Sequence, residues 1–137
     1  MAKVKKGSRK WWRGKCDTLW SKVIRLRDKR CLVCGSTENL QAHHLIGRNN
    51  YQYRYDLDNG ATVCLSHHGL RFGDQKIAAH GPSNAAMAFL EWIRDRFPRR
   101  WAWFEENRNR SGSGDQLDYE AIHAELTEKY EELKGGA

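Results

Sequence analysis

Apolar side chains recur at helical spacing in three segments of the chain. The spacing predicts helices over residues 18–29, 83–96 and 118–137. Asp17 precedes the first helix and can cap it, whereas Pro98 follows the second helix and stops or kinks the chain there. Three helices with separate apolar stripes indicate helices packed around a small core rather than one long coil.

The chain between the first and second helices is rich in turns and short apolar runs. Thr62, Val63 and Cys64 predict a strand, followed by a helix from about residue 65, and the run at residues 40–46 is a plausible partner strand in a β-hairpin. The expected fold class is small α+β.

The predicted organisation has four parts along the chain. Residues 1–15 form a flexible basic arm, and residues 16–107 form the domain, with its core motif at 31–82. A Ser/Gly-rich linker at 108–117 then leads to an acidic helix at 118–137, expected to be an appendage. This helix could dock on a partner protein, self-associate, or fold back over the basic arm.

Charge is concentrated at the amino end of the chain. The 137 residues carry a net charge of +7. The net charge is +10 in residues 1–30, zero in residues 31–82 and −5 in residues 111–137. Such a basic segment favours binding to the phosphates of a polyanion such as double-stranded DNA, although a solvated tail is the alternative. Trp11 and Trp12 either stack on bases or anchor the arm to the core. The candidate DNA contacts are Lys10, Arg13, Arg25, Arg48 and Arg54.

No membrane or secretory segment is expected. The longest stretch without a charged side chain, residues 77–90, is interrupted by polar residues and is shorter than the about 20 apolar residues of a membrane span. The basic start lacks the apolar run of a secretory signal. Because no secretory context favours disulfides, the cysteines indicate an intracellular protein.

Four side chains have the spacing of a structural zinc site. Cys31 and Cys34 are separated by two residues, and Cys64 and His67 repeat that spacing further along the chain. Two such pairs supply a closed tetrahedral Cys3His site for Zn2+. A redox CxxC is the alternative reading of the first pair, and Cys16 matches no ligand spacing.

Histidines exceed what one zinc ion requires. Five of the six lie within 38 residues. His43 and His44 are adjacent, so on a strand their side chains would point to opposite faces and serve different purposes. A neutral imidazole can accept a proton from water, and a second imidazole can bind a divalent cation.

The spaced elements over about residues 18–82 resemble the HNH endonucleases, in particular the zinc-stapled kind common in phages. The elements that carry this resemblance are Cys31-x2-Cys34, Ala42-His43-His44, Asp58-Asn59 and Cys64-x2-His67-His68. The resemblance implies a ββα-metal (His-Me finger) core with a structural zinc and flanking helices. It also implies a bacterial cell or phage-infected host cytoplasm as the setting.

The resemblance implies a role for each histidine. His44 would be the general base, Asn59 would brace the loop that orients it, and His43 and His68 would bind one catalytic divalent ion, Mg2+, Mn2+, Ni2+ or Zn2+. The family usually has a fourth cysteine where this chain has His67. If His67 and His68 exchanged roles, the two metal sites would each change by one ligand. His80 is a weaker candidate for a third ligand.

The leading hypothesis is a metal-dependent DNA endonuclease that leaves 5′-phosphate and 3′-hydroxyl ends. The alternatives are a zinc-stapled DNA-binding or packaging module without catalysis, and a nuclease selective for junctions or flaps. Separation of the His43 and His68 nitrogens by more than roughly 5 Å would favour the binding module, because the two could not share an ion.

Overall fold

The computed structural model describes residues 3–69, 76–110 and 114–135. These residues form a small α+β fold with five helices and one two-stranded antiparallel sheet. Within the described ranges, no helix has the length and apolar character needed to span a bilayer. The elements in chain order are α1 (Arg9–Asp28), β1 (Leu40–His44), β2 (Gly60–Cys64), α2 (Leu65–His68), α3 (Ser83–Arg96), α4 (Pro98–Asn107) and α5 (Tyr119–Gly135).

The sheet lies between two helical layers. β1 pairs with β2 from Leu40 opposite Cys64 to His44 opposite Gly60. Alternate residues of each strand face opposite sides. One side packs against α1, where Trp20 and Ile24 are buried, and the other packs against α3, where Phe89 is buried.

The first helix begins earlier than predicted. Ser8 caps α1 by accepting a hydrogen bond from the backbone N–H of Trp11 at 3.2 Å, so residues 9–15 are helical and the prediction of a flexible arm there is wrong. The helix extends because Trp12 and Cys16 continue its apolar stripe. Asp17 consequently lies inside the helix and does not cap it. Met1 and Ala2, also in the predicted arm, lie outside the described residues.

The acidic helix is part of the core. Tyr119 and Leu126 of α5 are 4% and 5% exposed and pack in one cluster with Cys16 and Trp20 of α1. The expectation of an appendage is therefore wrong, and of the three open alternatives the helix folds back over the amino end. Residues 111–113 of the predicted linker and residues 136–137 at the end of the predicted helix lie outside the described residues.

Asp28 joins the end of α1 to the sheet and to α4. Its side chain is 2% exposed, and its carboxylate accepts hydrogen bonds from Arg27, Arg100 and the backbone N–H of Thr62. Burial alone would raise the pKa of Asp28, but the two guanidinium groups hold it below its ordinary value. α4 was not predicted; Pro98 starts it, at a position where the missing N–H has no consequence.

Candidate metal centres and cleft

Three cysteines and one histidine form a cluster that could hold a metal ion. The ligand atoms of Cys31, Cys34, Cys64 and His67 all lie within 4.8 Å of one another. The Sγ atoms of Cys34 and Cys64 are 3.8 Å apart, and Nδ1 of His67 lies 3.3 Å from Sγ of Cys64 and 3.8 Å from Sγ of Cys31. Ligands at about 2.3 Å around a tetrahedral centre are separated by about 3.8 Å, so the cluster has the size of a zinc site.

Local backbone geometry produces this cluster. Gly35 takes a positive φ of 77° after the first cysteine pair, and the N–H of Leu32 bonds to the carbonyl of Thr62 in β2 at 2.9 Å. The turn is thereby held against the end of the strand that carries Cys64. Burial opposes ionisation of Cys31, but nearby backbone N–H groups hold the pKa of its thiol below the ordinary value. The thiolate is the form that binds metal.

Three histidines form a second cluster that could hold a metal ion. The ligand nitrogens of His43, His68 and His80 also lie within 4.8 Å of one another. The His43 and His68 nitrogens are therefore within the roughly 5 Å that a shared ion requires. His67 and His68 belong to separate clusters, as the two-residue gap from Cys64 predicts, and they do not exchange places.

His80 joins the cluster because the backbone returns to α2. Its N–H bonds to the carbonyl of His68 at 2.9 Å, and the N–H of Ala79 bonds to the carbonyl of His67 at 2.8 Å. The sequence offered no spacing rule that could select His80, since this pairing joins segments on either side of residues 70–75, which lie outside the described residues.

Two imidazoles of the cluster, those of His43 and His68, are held in the neutral form. Burial, together with the neighbouring His80, His68 and His44, lowers the pKa of His43 to about 3. Burial and His80 lower the pKa of His68 to about 4. Neutral imidazoles are metal ligands, and a set of three suits Zn2+, Ni2+ or Co2+ better than Mg2+, which prefers oxygen ligands.

His44 points to the other face of β1, towards α1. Its ring stacks on Trp20 with centroids 4.0 Å apart and planes 7° apart, and Nε2 donates to the backbone carbonyl of Arg54 at 2.9 Å. A carbonyl only accepts, so the proton is on Nε2 and Nδ1 carries the lone pair. Burial lowers the pKa of His44, although the Arg54 carbonyl opposes that shift. The ring is thus a neutral, oriented base.

Asn59 braces the loop beside His44. It is fully buried; its Nδ2 donates to the carbonyls of Ile46 (2.9 Å) and Tyr53 (3.1 Å), and its Oδ1 accepts from the N–H of Ile46 at 2.6 Å. One amide therefore fixes both ends of the loop that leads to Arg54.

Arg54 itself is internal, against its prediction as a DNA contact. It is 6% exposed, and its guanidinium makes two hydrogen bonds to the Asp17 carboxylate, at 2.7 and 2.9 Å. Tyr55 donates to the same carboxylate at 2.8 Å. With its charge paired and buried, Arg54 is not available at the surface, and it instead ties the loop to α1.

The other predicted DNA contacts occupy different environments. Arg13 donates to Asp115 at 2.7 Å and to the Tyr119 hydroxyl at 3.3 Å, so its charge is already paired. Lys10 and Arg48 are exposed, and Arg25 is half-buried with Nε donating to the backbone carbonyl of Ser21.

A cleft of about 580 Å³ brings the histidine cluster and His44 together. Asp17, Trp20 and Ser21 of α1 form one wall, and Arg48 and Asn49 lie at another. The two faces of β1 thus open into one space, with possible metal ligands on one side and a proton acceptor on the other.

Comparison with family models, with curated proteins and with solved structures finds no match for this chain.

What the cleft can do chemically follows from its two parts. A cation held by three imidazoles can neutralise an anionic substrate, and a separate neutral imidazole can take a proton from water. Sequence reasoning identified His43, His44, His68 and Asn59, but it missed the contribution of Trp20, whose spacing indicated only a core residue.

Proposed function

We propose that the protein is a divalent-metal-dependent DNA endonuclease of the HNH class, with β1, β2 and α2 as its ββα-metal core. The observation that carries the proposal is that the adjacent histidines of β1 have different surroundings. His43 joins two further imidazoles, whereas His44 is held apart by Trp20 and the Arg54 carbonyl with Nδ1 unprotonated. A module that only binds DNA has no use for this arrangement.

In the proposed site, His43, His68 and His80 hold the catalytic divalent ion, and Cys31, Cys34, Cys64 and His67 hold a structural Zn2+. The bound divalent ion supplies charge neutralisation at the scissile phosphate and the leaving oxygen.

A residue of the chain itself accepts the proton from the attacking water. Nδ1 of His44 takes a proton from a water molecule while the water oxygen forms a bond to phosphorus. The bond from phosphorus to the 3′ oxygen breaks, and that oxygen takes a proton from solvent, which leaves 5′-phosphate and 3′-hydroxyl ends. The Arg54 carbonyl keeps the imidazole in the tautomer that this step needs, and Trp20 holds the plane of the ring. Asn59 holds the adjacent carbonyl of Tyr53.

Substrate binding is assigned to basic side chains that are exposed or half-buried. Lys10 and Arg25 on α1, and Arg48 at the cleft wall, are suited to contact phosphates without regard to sequence. Their substitution is expected to weaken DNA binding rather than chemistry.

Plasmid cleavage tests the proposal. We expect wild-type protein to cleave supercoiled DNA with Ni2+, Co2+ or Mn2+, and His44→Ala to cleave 10²–10⁴-fold more slowly, because loss of a general base costs about that much. His123→Ala removes an imidazole from α5 and is the matched control, expected to cleave like wild type.

Zinc content and DNA binding are measured on the same samples. Equal cleavage by wild type and His44→Ala, with zinc content unchanged, contradicts the assignment of the base. DNA binding by every variant without cleavage by any of them, under all three metals, favours the non-catalytic module.

A further inference from the structure

Gln41 lies beside the three-histidine cluster and has no role in the chemistry described so far. It precedes His43 by two residues on β1, so both side chains project from the same face of the strand. On that face, Oε1 of Gln41 makes a close hydrogen bond with Nδ1 of His68, which comes from α2. The strand thus contributes one member of the cluster and also contacts a second.

The chemistry of this contact fixes a proton. An amide oxygen only accepts hydrogen bonds, so Nδ1 of His68 is the donor and carries the hydrogen. A neutral imidazole has one N–H, which leaves the lone pair on Nε2. Metal-binding histidines commonly donate their second ring nitrogen to such an acceptor, which sets both the tautomer and the ring orientation.

Backbone contacts do not replace this restraint. The N–H of His80 bonds to the carbonyl of His68 and so holds the main chain of α2, which is a single helical turn. The side-chain torsions of His68 are not fixed by that bond, whereas the Gln41 contact acts directly on the ring.

We propose that Gln41 is a positioning residue of the three-histidine site, whose side-chain oxygen holds His68 in the Nδ1–H tautomer and presents Nε2 to the metal ion. The inference rests on the metal site of the proposed function. It adds that the affinity of this site depends on a neutral amide that touches neither the metal ion nor the substrate.

Three variants test this role. Gln41→Leu keeps the size of the side chain and removes the acceptor. Gln41→Glu restores an acceptor oxygen. Gln52→Leu makes the same chemical change at an exposed position outside the cleft and is the matched control.

The first measurement is Co2+ affinity, followed by the visible absorption of the bound ion, on protein that carries zinc at the Cys31/Cys34/Cys64/His67 cluster. We expect Gln41→Leu to bind Co2+ about 10–100-fold more weakly, as is typical when such an outer partner is lost. Gln41→Glu and Gln52→Leu should bind within about threefold of wild type, and zinc content should be unchanged in all four proteins.

The second measurement is long-range 1H–15N NMR of His68 without the divalent ion. Wild type should show the Nδ1–H tautomer, and Gln41→Leu a mixture or the Nε2–H tautomer. Unchanged Co2+ affinity in Gln41→Leu, or an unchanged tautomer, overturns the proposal while leaving the metal site intact. If wild type fails to bind Co2+ at the histidines, the metal site of the proposed function falls, and with it the role of Gln41.

Discussion

Two adjacent imidazoles on β1 have opposite surroundings, and this contrast is the centre of the proposed chemistry. His43 faces the α3 side beside Phe89, and His44 faces the α1 side against Trp20. Burial lowers the pKa of both rings, so both are neutral at physiological pH. Neutrality suits each of them for a different reason, since one can bind a cation and the other can accept a proton.

Substitution of Asn59 should lower the stability of the fold, because this side chain bonds to several backbone groups at once. Asn59→Ala removes two donors and one acceptor from a fully buried position, so the N–H and carbonyl of Ile46 lose their Asn59 partners, whereas the Tyr53 carbonyl keeps only its bond from the N–H of Asp56. We expect a loss of about 2–4 kcal/mol in the free energy of unfolding, measured by urea denaturation. Asn84→Ala, at an exposed position of α3, is the control and should change stability little. A loss as small as that of Asn84→Ala would contradict the bracing role.

How far the sequence predicts the site depends on the range of the contacts involved. The two ligand pairs of the zinc cluster, each with a two-residue gap, and the alternation at His43 and His44 are local, so spacing alone indicated them. The Gln41 contact could have been anticipated, because a residue two before His43 shares its face of the strand. The pairing of Arg54 with Asp17 joins residues 37 apart, and no local pattern predicts it.

At the level of elements, α1 is the support against which the sheet and the cleft are built. Asp17 and Trp20 reach the cleft, and Ile24 packs against the sheet where Gly60 begins β2. A Cβ added at Gly60 would lie 2.4 Å from Cδ1 of Ile24 and 2.9 Å from a ring carbon of Trp20. The strand can approach the helix this closely only because residue 60 has no side chain.

Gly60, at this contact, and Gly14, away from it in α1, should respond oppositely to alanine. Gly60→Ala should destabilise the protein by about 1–3 kcal/mol, the usual effect of overpacking a core. Gly14→Ala lies within α1 with open space around the added carbon and should stabilise it by up to about 1 kcal/mol, because glycine is a poor helix former.

Thermal unfolding of the two variants measures the contrast, and a double variant tests its cause. Ile24→Val removes the methyl group nearest to the added carbon, so Gly60→Ala should cost less in that background than in wild type. Strictly additive effects would show that the contact between α1 and β2 is not what restricts residue 60.

The helices α1, α3 and α5 were predicted from their own apolar stripes, but the surfaces they pack against were not. The spacing of Leu126 and Tyr119 indicated a helix with one apolar face, and nothing in that spacing says which surface covers it. The covering surface is α1, whose early start at Arg9 extends the stripe that α5 needs. Two errors of the sequence interpretation, the arm and the appendage, thus have one cause.

Over the whole molecule, the folding of the two ends together redistributes the charge. The carboxylate of Asp115 accepts hydrogen bonds from Arg9 at 2.9 Å and from Arg13 at 2.7 Å. Part of the positive charge of the amino segment is therefore balanced by a carboxylate of the same chain. On the proposed function, the phosphates of DNA would be bound by basic residues that remain exposed, such as Lys10, rather than by the whole segment.

This junction between the two ends should make stability depend on pH in the acid range. Burial opposes ionisation of Asp115, but hydrogen bonds from Tyr119, Arg13 and Arg9 hold its pKa to about 2, below the ordinary value of about 3.9. Because the folded-state pKa is depressed, the stabilisation is fully present above about pH 4 and is lost as the pH falls towards 2.

Asp115→Asn removes the titrating group and isolates this contribution. We expect the variant to be about 1 kcal/mol less stable than wild type at pH 6, the upper end of the range for ion pairs near the surface, and the difference to shrink as the pH approaches 2. Glu128→Gln, at an exposed position of α5, should show no such convergence. Urea denaturation at pH 6, 4 and 2.5 measures all three proteins. A difference between wild type and Asp115→Asn that stays constant across this range would mean that the carboxylate does not link the two ends of the chain.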